Sequence, residues 1–226
     1  MNSIKLFKII VEIISIVALA NANLVTLDGE CPFSGIKPPE IAVVPLLKGK
    51  FNIIAETSDG PLNRTDLQML LKQTSKDSVL LTKRFQFPEN EQCYDIKIDI
   101  KATEQNGVYD AMYQVAPDTE AVGYMGYFLA FDLPTLFAVG LLCHTLPDSK
   151  YQFDIAVLSG ATEKYDQAMQ ERVQKVFKDQ NIENLYEYVV EVPQTHKCAF
   201  TPQEIFSSLM PSSDALMPSF PNLNRS

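Results

Sequence analysis

Period-two alternation dominates the middle of the chain. From Cys93 to Lys101, Tyr94, Ile96, Ile98 and Ile100 alternate with Asp95, Lys97, Asp99 and Lys101, which marks a strand with one buried face and one wet face. The Asn-Gly of Glu104-Gln105-Asn106-Gly107 then predicts a hairpin turn. The next strand sets Tyr109, Ala111, Tyr113 and Val115 against Asp110 and Gln114, and Ala116-Pro117-Asp118 ends it. Further strands are expected on the same pattern. Gly49 to Thr57 places Phe51, Ile53 and Ala55 on a common face. Asp66–Gln73 and Ser78–Phe87 read as a hairpin around Thr74-Ser75-Lys76-Asp77, although Leu67–Leu71 alternatively fits a helical turn. Glu120–Phe131 and Leu136–Thr145 are apolar on both faces, so something must cover their outer side. Tyr151 to Ser159 opposes Tyr151, Phe153, Ile155 and Val157 to Gln152 and Asp154.

The period changes after Ser159. Tyr165, Ala168, Met169, Val173, Val176 and Phe177 recur at helical spacing, predicting a helix over about 162–180 with Thr162 as its N-cap. Its apolar stripe needs a seat, and the doubly apolar strands supply one. Leu185 to Val192 reads as one more short strand. The expected fold is therefore all-β: an eight-stranded antiparallel up-and-down barrel with one C-terminal α-helix packed outside, wide enough inside for side chains or one small ligand.

The ends of the chain differ from its middle. Lys5, Lys8, an apolar stretch from Ile9 to Leu19 and the small-x-small Ala20-Asn21-Ala22 read as a secretory leader over residues 1–22, expected to be removed after Ala22. The stretch is too short for a membrane span of ~20 apolar residues. An N-terminal arm (23–48) precedes the barrel unit (49–198), and the Pro- and Ser-rich tail (199–226) lacks periodicity and is expected to be disordered. Loss of the leader removes two lysines and one glutamate and moves the formal charge from -9 to -10. That acidity argues against nucleic acid or an anionic membrane as partner. Asn63-Arg64-Thr65 and Asn224-Arg225-Ser226 are sequons, so Asn63 and Asn224 are candidate glycosylation sites of a secreted, extracellular protein.

Cys31, Cys93, Cys143 and Cys198 are spread along the chain, and in an oxidising compartment an even set reads as two disulfides. Three pairings are open, and arithmetic alone does not choose among them. No Cys-x-x-Cys spacing suggests redox chemistry. Enzyme motifs are missing as well: there is no Gly-x-Ser-x-Gly elbow, phosphate loop or His-Glu-x-x-His. His144 and His196 are lone histidines, more simply structural or exposed than ligands to a metal or haem. Asp95 and Asp99 alternate with lysines on a wet face. No cofactor, no metal and no catalytic residue is expected. Tyr94, Ile96, Ile98, Tyr109, Tyr113, Tyr124, Phe128 and Phe153 are instead candidates to line the barrel interior, with Tyr127 and Tyr151 in the same aromatic set. Buried tyrosine hydroxyls need partners, which favours a ligand cavity over a solid core.

With arm, strands, helix and cysteines in this order, the chain resembles the lipocalins from roughly Cys31 to Cys198. Gly49-Lys50-Phe51 is similar to their Gly-x-Trp motif, with Phe for Trp, and Ala130-Phe131-Asp132-Leu133 resembles their Thr-Asp-Tyr loop, keeping only the Asp. The arm Cys31-Pro32 to Lys37-Pro38-Pro39 resembles that of the apolipoprotein D, retinol-binding and insect bilin-binding branch. The resemblance implies the pairings Cys31–Cys143 and Cys93–Cys198. It also implies Gly49 and Phe51 at the closed barrel end, and a small hydrophobic ligand (lipid, retinoid, steroid, fatty acid or bilin) in the calyx. With no Trp in the chain and no matching Arg near Ser159-Gly160, the family's Trp–Arg stacking is expected to be missing. The alternative function is a filled barrel that binds a protein partner or receptor through its loops or tail.

Overall fold

A computed structural model describes residues 24–60, 62, 64–89, 91–113 and 121–210. The segment expected to be a leader, both sequon asparagines, Val115 and residues 211–226 lie outside the described residues. The eight long strands are β2 (Gly49–Thr57), β3 (Thr65–Ser75), β4 (Ser78–Gln86), β5 (Cys93–Ala102), β6 (Val108–Tyr113), β7 (Val122–Asp132), β8 (Phe137–Leu146) and β9 (Lys150–Ser159). Each pairs antiparallel with its sequence neighbour, and β2 pairs with β9 to close an up-and-down barrel. A strand with both edges bonded leaves few open backbone groups, which is why closure suits an all-β chain. Leu67–Leu71 lies within β3 and is extended, not helical.

Two short strands extend the sheet beyond the barrel. The arm opens with β1 (Val25–Asp28), which pairs with the start of β9, and β10 (Val189–Glu191) pairs with the end of β2. The stretch expected as one strand from Leu185 is mostly a 3-10 turn (Glu183–Tyr188), and only its end is extended. The helix α1 (Gln167–Asp179) starts later than its apolar spacing suggests. Asp166, not Thr162, is its N-cap and accepts a bond from the Met169 amide, while Ser159 Oγ holds the amides of Ala161 and Thr162 in a turn.

Two apolar layers follow from this arrangement. The inner one fills the barrel and includes Phe51, Ile53, Met69, Leu71, Leu81, Ile98, Tyr109 and Phe128. The outer one lies between the wall and α1 and includes Leu129, Phe137, Val139, Leu141, Ile155, Val157, Val173 and Phe177. The doubly apolar strands β7 and β8 thus have the outer cover that their composition requires.

The arm runs down the outside of the barrel. Cys31 is bonded to Cys143 on β8 with their Cα atoms 6.0 Å apart, and Phe33 stacks on Tyr127. Gln180 then bonds both the amide and the carbonyl of Lys37. At the Gly107 turn (φ +72°) a Cβ would come within 2.7 Å of Pro38, so close approach of the arm needs glycine there. Val43, Val44 and Leu47 close the lower end, beside Phe51. Gly49 has φ +86° against Leu209. No arginine stacks on Phe51 among the described residues. Arg172 from α1 instead lies 3.9 Å over the Phe137 ring and donates to Asp132 at 2.6 Å.

The C-terminal segment is fastened at several points. The Asp66 carboxylate accepts from the amides of Thr195, His196 and Lys197 and from the Thr195 hydroxyl. Cys198 is bonded to Cys93 at a Cα separation of 5.6 Å. Residues 202–209, expected to lack structure, form a second helix, α2 (Pro202–Leu209), packed on β3 and β2. Thr201 and Glu204 make a reciprocal capping box, and Arg84 of β4 bonds both Asp95 and Glu204. No helix of the described residues is long and apolar enough to cross a membrane.

Candidate functional site

The inward row of each strand defines the calyx. On β5 and β6 this row is the one the alternation predicts: Tyr94, Ile96, Ile98 and Ile100, then Tyr109, Ala111 and Tyr113. On β7 it includes Tyr124 and Phe128. Three aromatic positions lie elsewhere. Phe153 is fully buried, but in the outer layer, 5.8 Å from Tyr188, and Tyr151 accompanies it there. Tyr127 also faces outward, onto the arm. The inward row of β9 is Asp154, Ala156 and Leu158, because the bulkier row is needed under the outer layer.

β2 hides a second reversal. Its register with β9 slips between Ile53 and Ala55, a bulge that puts both Ile54 and Ala55 in the outer layer. Phe51 and Ile53 remain inside, and Glu56 turns inward with them. Ala55 is therefore not on the face of Phe51 and Ile53, since one extra residue inverts the alternation beyond it.

This inversion brings together an ionic cluster that sequence reasoning missed. Glu56 is 0% exposed, and Arg64 and Lys83 are almost equally buried. Arg64 Nε donates to Glu56 Oε1 at 2.7 Å and Lys83 Nζ to Glu56 Oε2 at 2.8 Å. Lys83 Nζ also lies 3.6 Å from Asp154 Oδ2, and Thr57 donates to Asp154 Oδ1 at 3.1 Å. Burial alone pushes the Glu56 carboxyl up, but Arg64 and Lys83 outweigh it and hold it below its ordinary value. Arg64 in addition sits 5.3 Å over the Phe85 ring. Lys83 had a visible signal, since it interrupts the apolar row Val79, Leu81, Phe85 on β4 and Phe87 just after it. Asp154 had a weaker one, and Glu56 had none without the bulge.

Below this cluster lies an apolar chamber. Leu47, Met69, Leu71, Leu81, Ile98, Ile100, Phe128, Leu142 and Leu158 line it, with Tyr109, Tyr113, Lys83 and Asp154 as its polar wall. Its volume is about 40 Å³. Burial, followed by the nearby Asp154 charge, raises the hydroxyls of Tyr109 and Tyr113 above the ordinary tyrosine value. An aromatic collar stands above the chamber, where Phe85 stacks 5.9 Å from Tyr94 and Tyr113 lies 5.1 Å from Tyr124. His144, one residue beyond the outward Cys143, contacts Tyr124 at this rim and bonds the Gly123 carbonyl at 2.9 Å.

The site thus joins an apolar floor, a charge-balanced polar station and an aromatic mouth. Such an enclosure can bind, orient and shield a small molecule, and among the described residues no group of three potential metal ligands is brought together.

Comparison with known structures places this architecture. Insecticyanin from the tobacco hornworm Manduca sexta superposes with a TM-score of 0.57 at 17% identity, covering 80% of this chain and 92% of that one. Lobster apocrustacyanin A1 gives 0.54 at 11% identity, covering 76% and 93%. The siderocalin Ex-FABP gives 0.50 at 16% identity, covering 68% and 98%. At these identities the likeness concerns the fold. No family model matches the sequence, and no curated protein matches it either.

Proposed function

We propose, from the premise that this chain is a lipocalin in fold with a divergent sequence, that it is a secreted carrier enclosing a small hydrophobic ligand in its calyx. The observation that carries this reading is the continuous apolar chamber inside a closed barrel, capped by an aromatic mouth and furnished with a few polar groups on one wall. That combination is what small-molecule sites use: burial for affinity and sparse polar groups for orientation. Ile98, Tyr109, Tyr113 and Phe128 would touch the ligand directly, with Tyr94, Ile96 and Tyr124 toward the mouth. Phe153, in the outer layer, has no part. The siderocalin among the structural neighbours is described as functioning through dual ligand specificities, and a binding role rather than catalysis is carried over from that comparison. The leader, two disulfides and the sequons at Asn63 and Asn224 support an extracellular location.

A second reading rests on the small volume. At about 40 Å³ the chamber is far below the ~300–1,000 Å³ of drug-sized sites, as a barrel filled by its own side chains would be. Such a protein would act through its exposed surface on another protein. In the carrier reading, Met69 and the leucines of the floor repack as the ligand enters.

Native and denaturing mass spectra of the mature protein from a eukaryotic secretory host separate the two. The carrier reading expects a small mass released on denaturation, or uptake from a panel of lipids, retinoids and bilins. No adduct together with no uptake would overturn it.

A further inference from the structure

The polar wall of the chamber holds donors that its own two carboxylates leave unpaired. Both oxygens of Glu56 are taken by Arg64 and Lys83, and both oxygens of Asp154 are engaged by Thr57 and Lys83. Arg64 commits only its Nε to Glu56. Among the described residues neither of its Nη groups has a hydrogen-bond partner, although the residue is only 3% exposed. The hydroxyls of Tyr109 and Tyr113 likewise have none, and Asp154 acts on both electrostatically, as Arg64 does on Tyr113. Two cations and two carboxylates already balance. A guanidinium can only donate, so the free Nη groups of Arg64 call for an acceptor on the guest.

Tyr109 is held at this wall by two glycines. A Cβ at Gly126 would fall 2.2 Å from the Tyr109 ring, and one at Gly140 would fall 3.3 Å from its hydroxyl. Only bare backbone lets the ring lie against β7 and carry its hydroxyl across to β8.

We propose that the calyx selects apolar molecules whose polar end is a hydrogen-bond acceptor, a carboxylate or carbonyl oxygen, held by the Nη groups of Arg64 and the hydroxyls of Tyr109 and Tyr113. The hydrocarbon then extends into the floor. This rests on the carrier reading and specifies its ligand class. The free fork of Arg64 suits a planar two-oxygen head. An ammonium brings three donors, no lone pair for Arg64, and a positive charge beside Arg64 and Lys83.

A head-group series on one hydrocarbon tests this. Hexadecanoic acid, hexadecan-2-one, hexadecan-1-ol and hexadecylamine would compete with a fluorescent apolar probe, N-phenyl-1-naphthylamine, on the mature disulfide-bonded protein. The acid and the ketone are expected to displace the probe at concentrations roughly tenfold or more below the amine, a gap of about 1.4 kcal/mol. Arg64→Lys keeps a cation beside Glu56 but loses the fork, and Tyr113→Phe loses one hydroxyl without emptying space. Each should flatten the ranking, and the tyrosine variant carries the test if the arginine variant does not fold. Equal displacement by all four heads, or an unchanged ranking in the folded variants, would overturn the proposal while leaving a carrier in place. Failure of the probe and of every amphiphile to bind would overturn both.

Discussion

Glu56 owes its place to the residue before Ala55. The bulge at Ile53–Ala55 turns a carboxylate that alternation would leave outside into the partner of Arg64 and Lys83. Removing the charge while keeping the shape, as in Glu56→Gln, leaves two buried cations with Asp154 alone. The expected loss is about 3–5 kcal/mol, the range for breaking one side of a buried ion pair, measured by equilibrium urea unfolding. Gly126 makes a complementary prediction. In Gly126→Ala the new Cβ displaces Tyr109, costing about 1–3 kcal/mol. The added Tyr109→Ala change should make the pair less than additive, because the clash no longer exists. At this scale the sequence was legible wherever alternation ran unbroken, as on β5. It failed where one inserted residue reversed the faces. On β9, Phe153 was expected inside, with Tyr151 in the same aromatic set, but their row is the outer one. It packs outward because α1 and the arm cover it.

Among the elements, α2 shows how a short local signal escapes a composition argument. The tail is rich in Pro and Ser, yet Thr201-Pro202-Gln203-Glu204 is a capping box with Pro at the first helical turn. The α1 start was misplaced for a related reason, since apolar spacing continues past the point where Asp166 caps the helix. The latch on α2 is electrostatic. Its hydrogen bonds from Arg84 and from the Thr201 backbone lower Glu204 to about 2. A carboxylate depressed on folding contributes stability that is full above its unfolded value near 4.5 and lost as the pH falls toward 2. Hydrogen exchange in the α2 amides should therefore accelerate across that interval before the barrel opens. Glu204→Gln should show fast exchange already at neutral pH, and an acid-insensitive α2 in the native chain would count against the latch.

For the whole molecule, strand number, order and closure were readable from turn signals and apolar rows, and every barrel strand lies where a strand was expected. The mutual pairing of the cysteines was open to residue arithmetic and came from family resemblance. The bonds themselves tie the arm to β8 and the C-terminal segment to β5. They close loops of 112 and 105 residues, so removing either by paired Cys→Ser substitution should cost up to about 4–5 kcal/mol in urea unfolding. The interior is also a property of the whole. The large rotamer freedom of Met69 and the floor leucines must allow the calyx to accommodate a guest several times its resting volume.

The most direct measurement of that claim is photolabelling with hexadecanoic acid bearing a diazirine at its hydrocarbon end, followed by peptide mapping of the irradiated protein. Carriage in the calyx predicts label on inward floor residues such as Leu71, Ile98 and Phe128, and its loss with excess unlabelled acid. Label confined to exposed apolar positions such as Met112, Met125 or Phe206, or none above the unirradiated control, would contradict it.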